Sequence, residues 1–143
     1  MVAVDTNLLV YAHRTDAPFH VAARALIESL MAEATAWAIP WPCAHEFIAI
    51  VTNPRIFKTP TPLDVAFAQL RTLAEQPQII WLAEGDDYLP RLETLALAAQ
   101  VKGGAIHDAR IAAICLYHGV RELWSADRDF SRYPALRVHN PLV

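Results

Sequence analysis

Two kinds of segment alternate along the chain, short continuous apolar runs and longer stretches with one apolar face. Val2-Ala3-Val4 is the first short run, and a run of that kind suits a strand buried on both sides. From about His20 to Ala34, Ala23, Leu26, Ile27, Leu30 and Ala34 recur at helical spacing on one side. Thr35 to Ile39 reads as a second strand, closed by Pro40-Trp41-Pro42. Pro42 suits the first turn of a helix that runs to about Thr52 and is stopped by Asn53-Pro54. Thr61-Pro62-Leu63-Asp64 then predicts an N-cap, a proline at the first helical position and an acid in the first turn. The helix after it carries Leu63, Ala66, Phe67, Leu70, Leu73 and Ala74 on one face. Gln78 to Leu82 reads as a strand and Asp86 to Gln100 as a helix with Leu89, Leu92, Leu95, Ala96 and Ala99 aligned. Ile106 to His118 is apolar almost all round, which predicts a helix packed on more than one side, ended by Gly119. Glu122 to Ser125 and Arg137 to His139 are the last strands. Strands alternating with helices imply an α/β fold with a parallel sheet covered on both faces. In such sheets ligands bind outside the carboxyl ends of the strands, near the topological switch point.

Composition narrows the class. With 55% hydrophobic and 19% charged residues, the 143-residue chain has ample apolar surface to offset the entropy of ordering it. No repeat or linker divides it, so residues 1–143 are read as one domain. Its apolar runs stop well short of the roughly 18 residues a membrane helix needs. No basic, apolar and small-residue leader follows Met1, which implies a cytoplasmic protein with no membrane association. Cys43 and Cys115 show no metal-ligand spacing and read as reduced core residues. The formal charge of −3 lacks the basic excess of most nucleic-acid binders, and it fits better if several acids share a site where cations restore the balance.

Four carboxylates stand where a solvated charge is not expected. Asp5 ends the apolar run Val2-Ala3-Val4, Asp108 opens the nearly all-apolar helix, and Asp127 follows the strand Glu122-Leu123-Trp124-Ser125. Each of these has an ordinary structural explanation, as a cap, a helix-dipole partner or a turn residue. Glu46 does not, because its helical neighbours Cys43, Phe47, Ala49 and Ile50 are apolar. A buried carboxylate without a partner costs several kcal/mol, which points to a partner or a metal. Three of the four acids fall at strand ends or helix starts that an α/β sheet brings to one edge. Clustered carboxylates suit Mg²⁺ or Mn²⁺, which take hard oxygen ligands and promote phosphodiester hydrolysis. A phosphate loop is excluded, since Gly103-Gly104 lacks the Lys-Ser/Thr pair. His45 and His107 adjoin Glu46 and Asp108 in sequence, but consecutive helical side chains diverge, so both read as surface or supporting groups. The four tryptophans, Trp37, Trp41, Trp81 and Trp124, read as core rather than as a base-stacking platform.

At these residues the chain resembles the PIN-domain family, and within it the VapC-type toxin ribonucleases. The carriers are Val4-Asp5-Thr6-Asn7-Leu8-Leu9-Val10-Tyr11, Glu46, His107-Asp108-Ala109-Arg110-Ile111-Ala112-Ala113 and Ser125-Ala126-Asp127-Arg128-Asp129-Phe130, in that order. The resemblance implies a three-layer α/β/α fold around a central parallel sheet of about five strands. It implies an endoribonuclease dependent on Mg²⁺ or Mn²⁺, the toxin of a type II toxin–antitoxin pair, held by a VapB-like antitoxin and commonly a homodimer. Asp5, Glu46, Asp108 and Asp127 would then be the catalytic, metal-binding acids. Asp129 would be an extra ligand or a supporting acid, and Thr6, Asn7 and Ser125 would orient the carboxylates. Arg14 and Arg128, with Arg55, Lys58 and Arg132, are scattered candidates for RNA phosphate contact. Two competing readings are a phosphatase with an aspartate nucleophile and a catalytically inactive PIN-like interaction module. Asn7 stands where the phosphatase would need a second aspartate, which argues against it. Apolar faces around Leu26 to Met31 and Phe47 to Phe57 are the candidate groove for an antitoxin segment.

Overall fold

β1 (Val2–Val4) lies in the middle of a five-stranded, wholly parallel sheet in the computed structural model, which describes residues 1–143. β2 (Trp37–Pro40) and β3 (Ile79–Leu82) extend the sheet on one side of it, and β4 (Glu122–Trp124) and β5 (Arg137–His139) on the other, in the order β3-β2-β1-β4-β5. Pairing sets Ala3 against Ala38 and Val4 against Trp124, so the strands end level with one another. The connection leaving β1 goes to one neighbour while β4 belongs to the other half of the sheet. The crevice between the carboxyl ends of β1 and β4 is therefore the switch point where a site is expected.

Six helices cover the sheet: α1 (Thr6–His13), α2 (His20–Ala32), α3 (Trp41–Val51), α4 (Leu63–Ala74), α5 (Tyr88–Ala98) and α6 (Ile106–Tyr117). Helix α1 packs on both α2 and α3, α4 packs on α3, and α5 packs on α6. Right-handed crossovers put these two groups on opposite faces of the sheet. The core between the layers includes Leu8, Trp37, Ile39, Phe47, Ile111, Ile114 and Leu123, all essentially inaccessible. Each large apolar side chain so buried contributes about 1.5–3 kcal/mol. The expectation for α6 holds, since Ala109 and Ile111–Cys115 are all buried. Gly119 follows that helix with φ of 73°, the left-handed conformation a glycine tolerates.

The structure departs from the sequence expectations in four places. Helix α1 was not anticipated, because Thr6–His13 is apolar on nearly every side and lacks the two-sided pattern of a surface helix. Thr61 does not cap α4. Pro62 is the cap residue, and the Thr61 hydroxyl is instead taken by His13 Nε2 at 3.1 Å and Arg14 Nη1 at 3.2 Å. On α4 only Ala66 and Leu73 are buried, while Leu63 and Phe67, expected inward, are about half exposed. Of the four tryptophans Trp37 alone is fully buried. Trp41 is 40% exposed, because it stands at the first position of α3, beyond the end of the sheet.

Candidate active site

Four acids from four separate elements line one cleft of about 620 Å³ at the carboxyl edge of the sheet: Asp5, Glu46, Asp108 and Asp127. Asp5 sits at the switch from β1 to α1. Its extended backbone makes it the N-cap, and Oδ1 accepts from the Thr6 N–H at 2.8 Å. Sheet on one side and helix on the other leave it only 3% exposed. The helix N-terminus favours its negative charge. Glu46 comes from the middle of α3, on the face shared with Cys43 one turn earlier and Ile50 one turn later. The Thr6 hydroxyl donates to Glu46 Oε2 at 2.9 Å, and the Cys43 thiol lies 3.5 Å from Asp5 Oδ1. Asp108 occupies the first turn of α6. Asp127 follows β4, its Oδ1 accepting from the Asp129 N–H at 2.8 Å in a local turn.

Ser125 and Asn7 tie these elements together. The buried Ser125 hydroxyl donates to Asp5 Oδ2 at 2.7 Å and accepts from the Asp127 N–H at 2.9 Å. The Asn7 side-chain amide reaches Ser125 Oγ at 3.2 Å and Asp5 Oδ2 at 3.4 Å. Its carbonyl accepts from the Ala126 N–H at 3.2 Å. Thr6, Asn7 and Ser125 thus each donate a hydrogen bond to a carboxylate of the group, Thr6 to Glu46 and the other two to Asp5. Asp129 joins the group, since carboxylate oxygens of Asp108, Asp127 and Asp129 lie within 4.8 Å of one another.

The crowding of like charge shows in the acidities. Asp108 is pushed up from 3.8 to about 6, first by partial burial and then by the charges of Asp127, Asp5, Glu46 and Asp129. Burial raises Asp5 against the opposing hydrogen bonds from Ser125, Thr6 and Cys43. Glu46 is raised too, burial outweighing its bond from Thr6. Only Glu46 is eased by cations, the more distant charges of His107 and Arg110, and no ion pair reaches the group. The four ion pairs of the molecule join Arg14 to Asp16, Arg24 to Glu28, Arg91 to Asp87 and Arg110 to Glu84; Asp16 also lines the cleft, but none of the pairs includes Asp5, Glu46, Asp108, Asp127 or Asp129. Asp108 receives no hydrogen bond from the protein, and one oxygen each of Glu46 and Asp127 is likewise free. Carboxylate oxygens with open lone pairs and no ammonium or guanidinium bonded to them fit a hard divalent cation.

The arginine candidates are dispersed. Arg14 bonds Asp16 and Thr61 and lies over the Phe57 ring at 4.2 Å, so its guanidinium is engaged inside the protein. Arg128 is exposed and borders a separate depression beside Asp127, and Lys58 lines the acid cleft itself. Arg55 and Arg132 are exposed and line neither. The contact of Cys43 with Asp5 escaped the sequence reading, which took that residue as core alone. Its spacing of three residues before Glu46, on one helix face, was the available signal. Of the candidate antitoxin groove, Ile50, Ile56 and Phe57 line the acid cleft with Val10 and Tyr11. The Leu26 to Met31 face does not reach it.

An all-parallel sheet that gathers acids from positions 5, 46, 108 and 127 at its switch point is the architecture of a PIN domain. The PIN domain family model matches residues 2–136, and the chain belongs to that family. Its curated relatives are VapC ribonucleases. Ribonuclease VapC43 of Mycobacterium tuberculosis is 36% identical over 142 residues, covering 99% of this chain and 96% of that protein. Ribonuclease VapC48 of the same organism is 28% identical over 137 residues, covering 96% and 94%. Among solved structures, VapBC2 from Rickettsia felis bound to a DNA fragment from their promoter matches with a TM-score of 0.69 at 19% identity, covering 98% of each chain. VapC20 of Mycobacterium tuberculosis, a sarcin-ricin loop cleaving toxin, matches with a TM-score of 0.65 at 17% identity, covering 92% of this chain and 93% of that one. At these identities the structural likeness speaks for the fold.

Proposed function

We propose that this protein is a divalent-metal-dependent endoribonuclease, the toxin of a VapBC pair, acting as a single cytoplasmic domain. The observation that carries this is the cluster of Asp5, Glu46, Asp108 and Asp127 in one cleft with no cationic side chain paired to it. In this reading those four carboxylates hold Mg²⁺ or Mn²⁺, and Asp129 supports Asp108 and Asp127. A divalent ion bound there supplies an activated water and neutralises charge on the phosphate and the leaving oxygen.

The protein's own part is preorganisation. Ser125 and Asn7 aim Asp5, Thr6 aims Glu46, and the turn at Asp129 aims Asp127, so the ligands are in place before substrate arrives. The raised pKa values of Asp5, Glu46 and Asp108 mean that protons compete with the cation increasingly as the pH falls, at Asp108 from about pH 6. Lys58, at the rim, supplies a positive contact for the RNA backbone. The apolar wall of Val10, Ile50, Ile56 and Phe57 receives the antitoxin segment, which then covers the acids. The half-exposed Leu63, Val65 and Phe67 of α4 offer an apolar surface for pairing with a second copy.

The test is cleavage of RNA with added Mn²⁺ by the wild type and by Asp5→Asn and Asp108→Asn. Both variants are expected to lose cleavage while keeping the far-ultraviolet circular dichroism of the wild type. Equal cleavage by all three, in preparations free of contaminating nuclease, rejects the reading.

A further inference from the structure

A second depression, of about 470 Å³, adjoins the acid cleft and shares Glu46 and Ile50 with it. Its character is different. Pro42, His45 and Ala49 form one wall from α3, and His107 and Arg110 form the other from the start of α6. Arg110 is anchored by Glu84, which accepts from Nε at 2.7 Å and lies 2.6 Å from Nη2, leaving Nη1 without a protein partner. Beside this wall stands a ladder of rings. Trp41 stacks on Trp81 of β3 at 4.6 Å and 28°, and on His45 at 6.5 Å and 28°. The ladder thus runs from the sheet edge to the rim of the depression, ending in an exposed histidine, with Trp41 itself 40% exposed.

An exposed tryptophan alone would mean little. Here three aromatic planes, each tilted 28° from the next, stand next to the anchored guanidinium of Arg110 and the His107 ring, in a depression that borders Glu46. Single-stranded RNA is recognised by that combination, in which unstacked bases lie on aromatic faces while Arg and His meet the phosphates. On the strength of the ribonuclease reading above, we infer that this depression is a nucleotide subsite. It holds one nucleotide flanking the scissile phosphate, its base continuing the Trp81–Trp41–His45 ladder and its phosphate meeting Arg110 and His107. The subsite would select a splayed-out, unpaired nucleotide at that position, because a base inside a duplex presents no free face. A peptide would find no carboxylate-free apolar groove here, and the docking wall assigned to the antitoxin shares only Ile50 with this depression, Val10, Ile56 and Phe57 lying outside it.

The experiment is steady-state cleavage of a short single-stranded RNA in Mn²⁺ by wild type, Trp41→Leu and His45→Ala, with an abasic nucleotide moved one position at a time across the cut site. For the wild type, one abasic position next to the cut is expected to raise KM about ten-fold, the size of one lost stacking contact. The two variants should show that higher KM with intact RNA, near-unchanged kcat, and no further loss at the same abasic position. The inference is overturned if the variants keep the wild-type abasic profile, or if they lower kcat with KM unmoved. It is also overturned if their only change is in self-association by sedimentation or in affinity for the antitoxin. A wild type that cuts no RNA at all rejects the ribonuclease reading itself, whereas a wild type that cuts but ignores the abasic scan rejects the subsite alone.

Discussion

Replacing Asp108 by asparagine in metal-free protein should raise the melting temperature while removing activity. Asp108 titrates near 6 in the folded chain, against 3.8 for an ordinary aspartate, because its ionised form sits half-buried among Asp127, Asp5, Glu46 and Asp129. A shift of that size corresponds to about 3 kcal/mol in a dry site. Water reaches this side chain, so screening leaves roughly 1–2 kcal/mol of destabilisation at neutral pH. Asparagine is nearly isosteric and carries no charge, and it releases that strain. For a chain of this size the gain is roughly 3–8 °C in melting temperature. The sign with pH is set by the raised pKa. The penalty is fully present above pH 6 and fades as protonation neutralises Asp108 between about 6 and 3.8. The advantage of the variant should therefore shrink on acidification. Calorimetry in EDTA at pH 7.5 and again at pH 4.5 measures both quantities. Excess Mn²⁺ should reverse the order at pH 7.5, since a bound ion adds about 2.7 kcal/mol at a hundred times its dissociation constant and the variant binds it less well. An Asp108→Asn protein that melts lower than wild type in EDTA at pH 7.5 refutes the crowding argument.

Thr6→Val keeps the shape of residue 6 but deletes the hydroxyl that donates to Glu46, and Mn²⁺ affinity by calorimetric titration should fall about 10–100-fold with little change in fold. Ser125→Ala removes a buried hydroxyl bonded to Asp5 and to the Asp127 N–H, so denaturant unfolding should show a loss of about 1–3 kcal/mol along with weaker metal binding. An unchanged unfolding midpoint would show that Ser125 does not join the two strands' ends. Gly85→Ala would place a Cβ 1.9 Å from the Tyr117 ring, and the forced shift of that ring should cost about 1–3 kcal/mol, read as a lower melting temperature with wild-type cleavage per folded molecule.

The sequence reading recovered what depends on local pattern. All five strands and five of the six helices were legible, because alternation of apolar runs with one-sided stretches survives in a single chain. Helix α1 was not, since Leu8, Leu9 and Val10 are all buried and the usual polar face is missing. Thr61 misled for a related reason. A threonine before proline looks like a cap, and only the folded chain brings His13 and Arg14 to its hydroxyl. The acids were legible as misfits, Glu46 most clearly, but their meeting was not, because neighbours in the β3-β2-β1-β4-β5 order are far apart in sequence. Trp41 looked like core because strand-flanking tryptophans usually are. Its exposure follows from the level at which β2 and β3 end. What remained unreadable was long-range geometry, and the resemblance to the PIN family filled part of that gap.

The hydroxyl of Ser125 reaches back across 120 positions to Asp5. A growing polypeptide that has not yet added its fourth strand already possesses Asp5, Glu46 and Asp108, yet it lacks the hydroxyl that ties Asp5 to the backbone of Asp127. Synthesis runs from the amino end, so the cutting apparatus is completed only when the segment from β4 onward arrives. Copies cut short before Ser125 should accordingly carry three of the four acids without the link that completes the set.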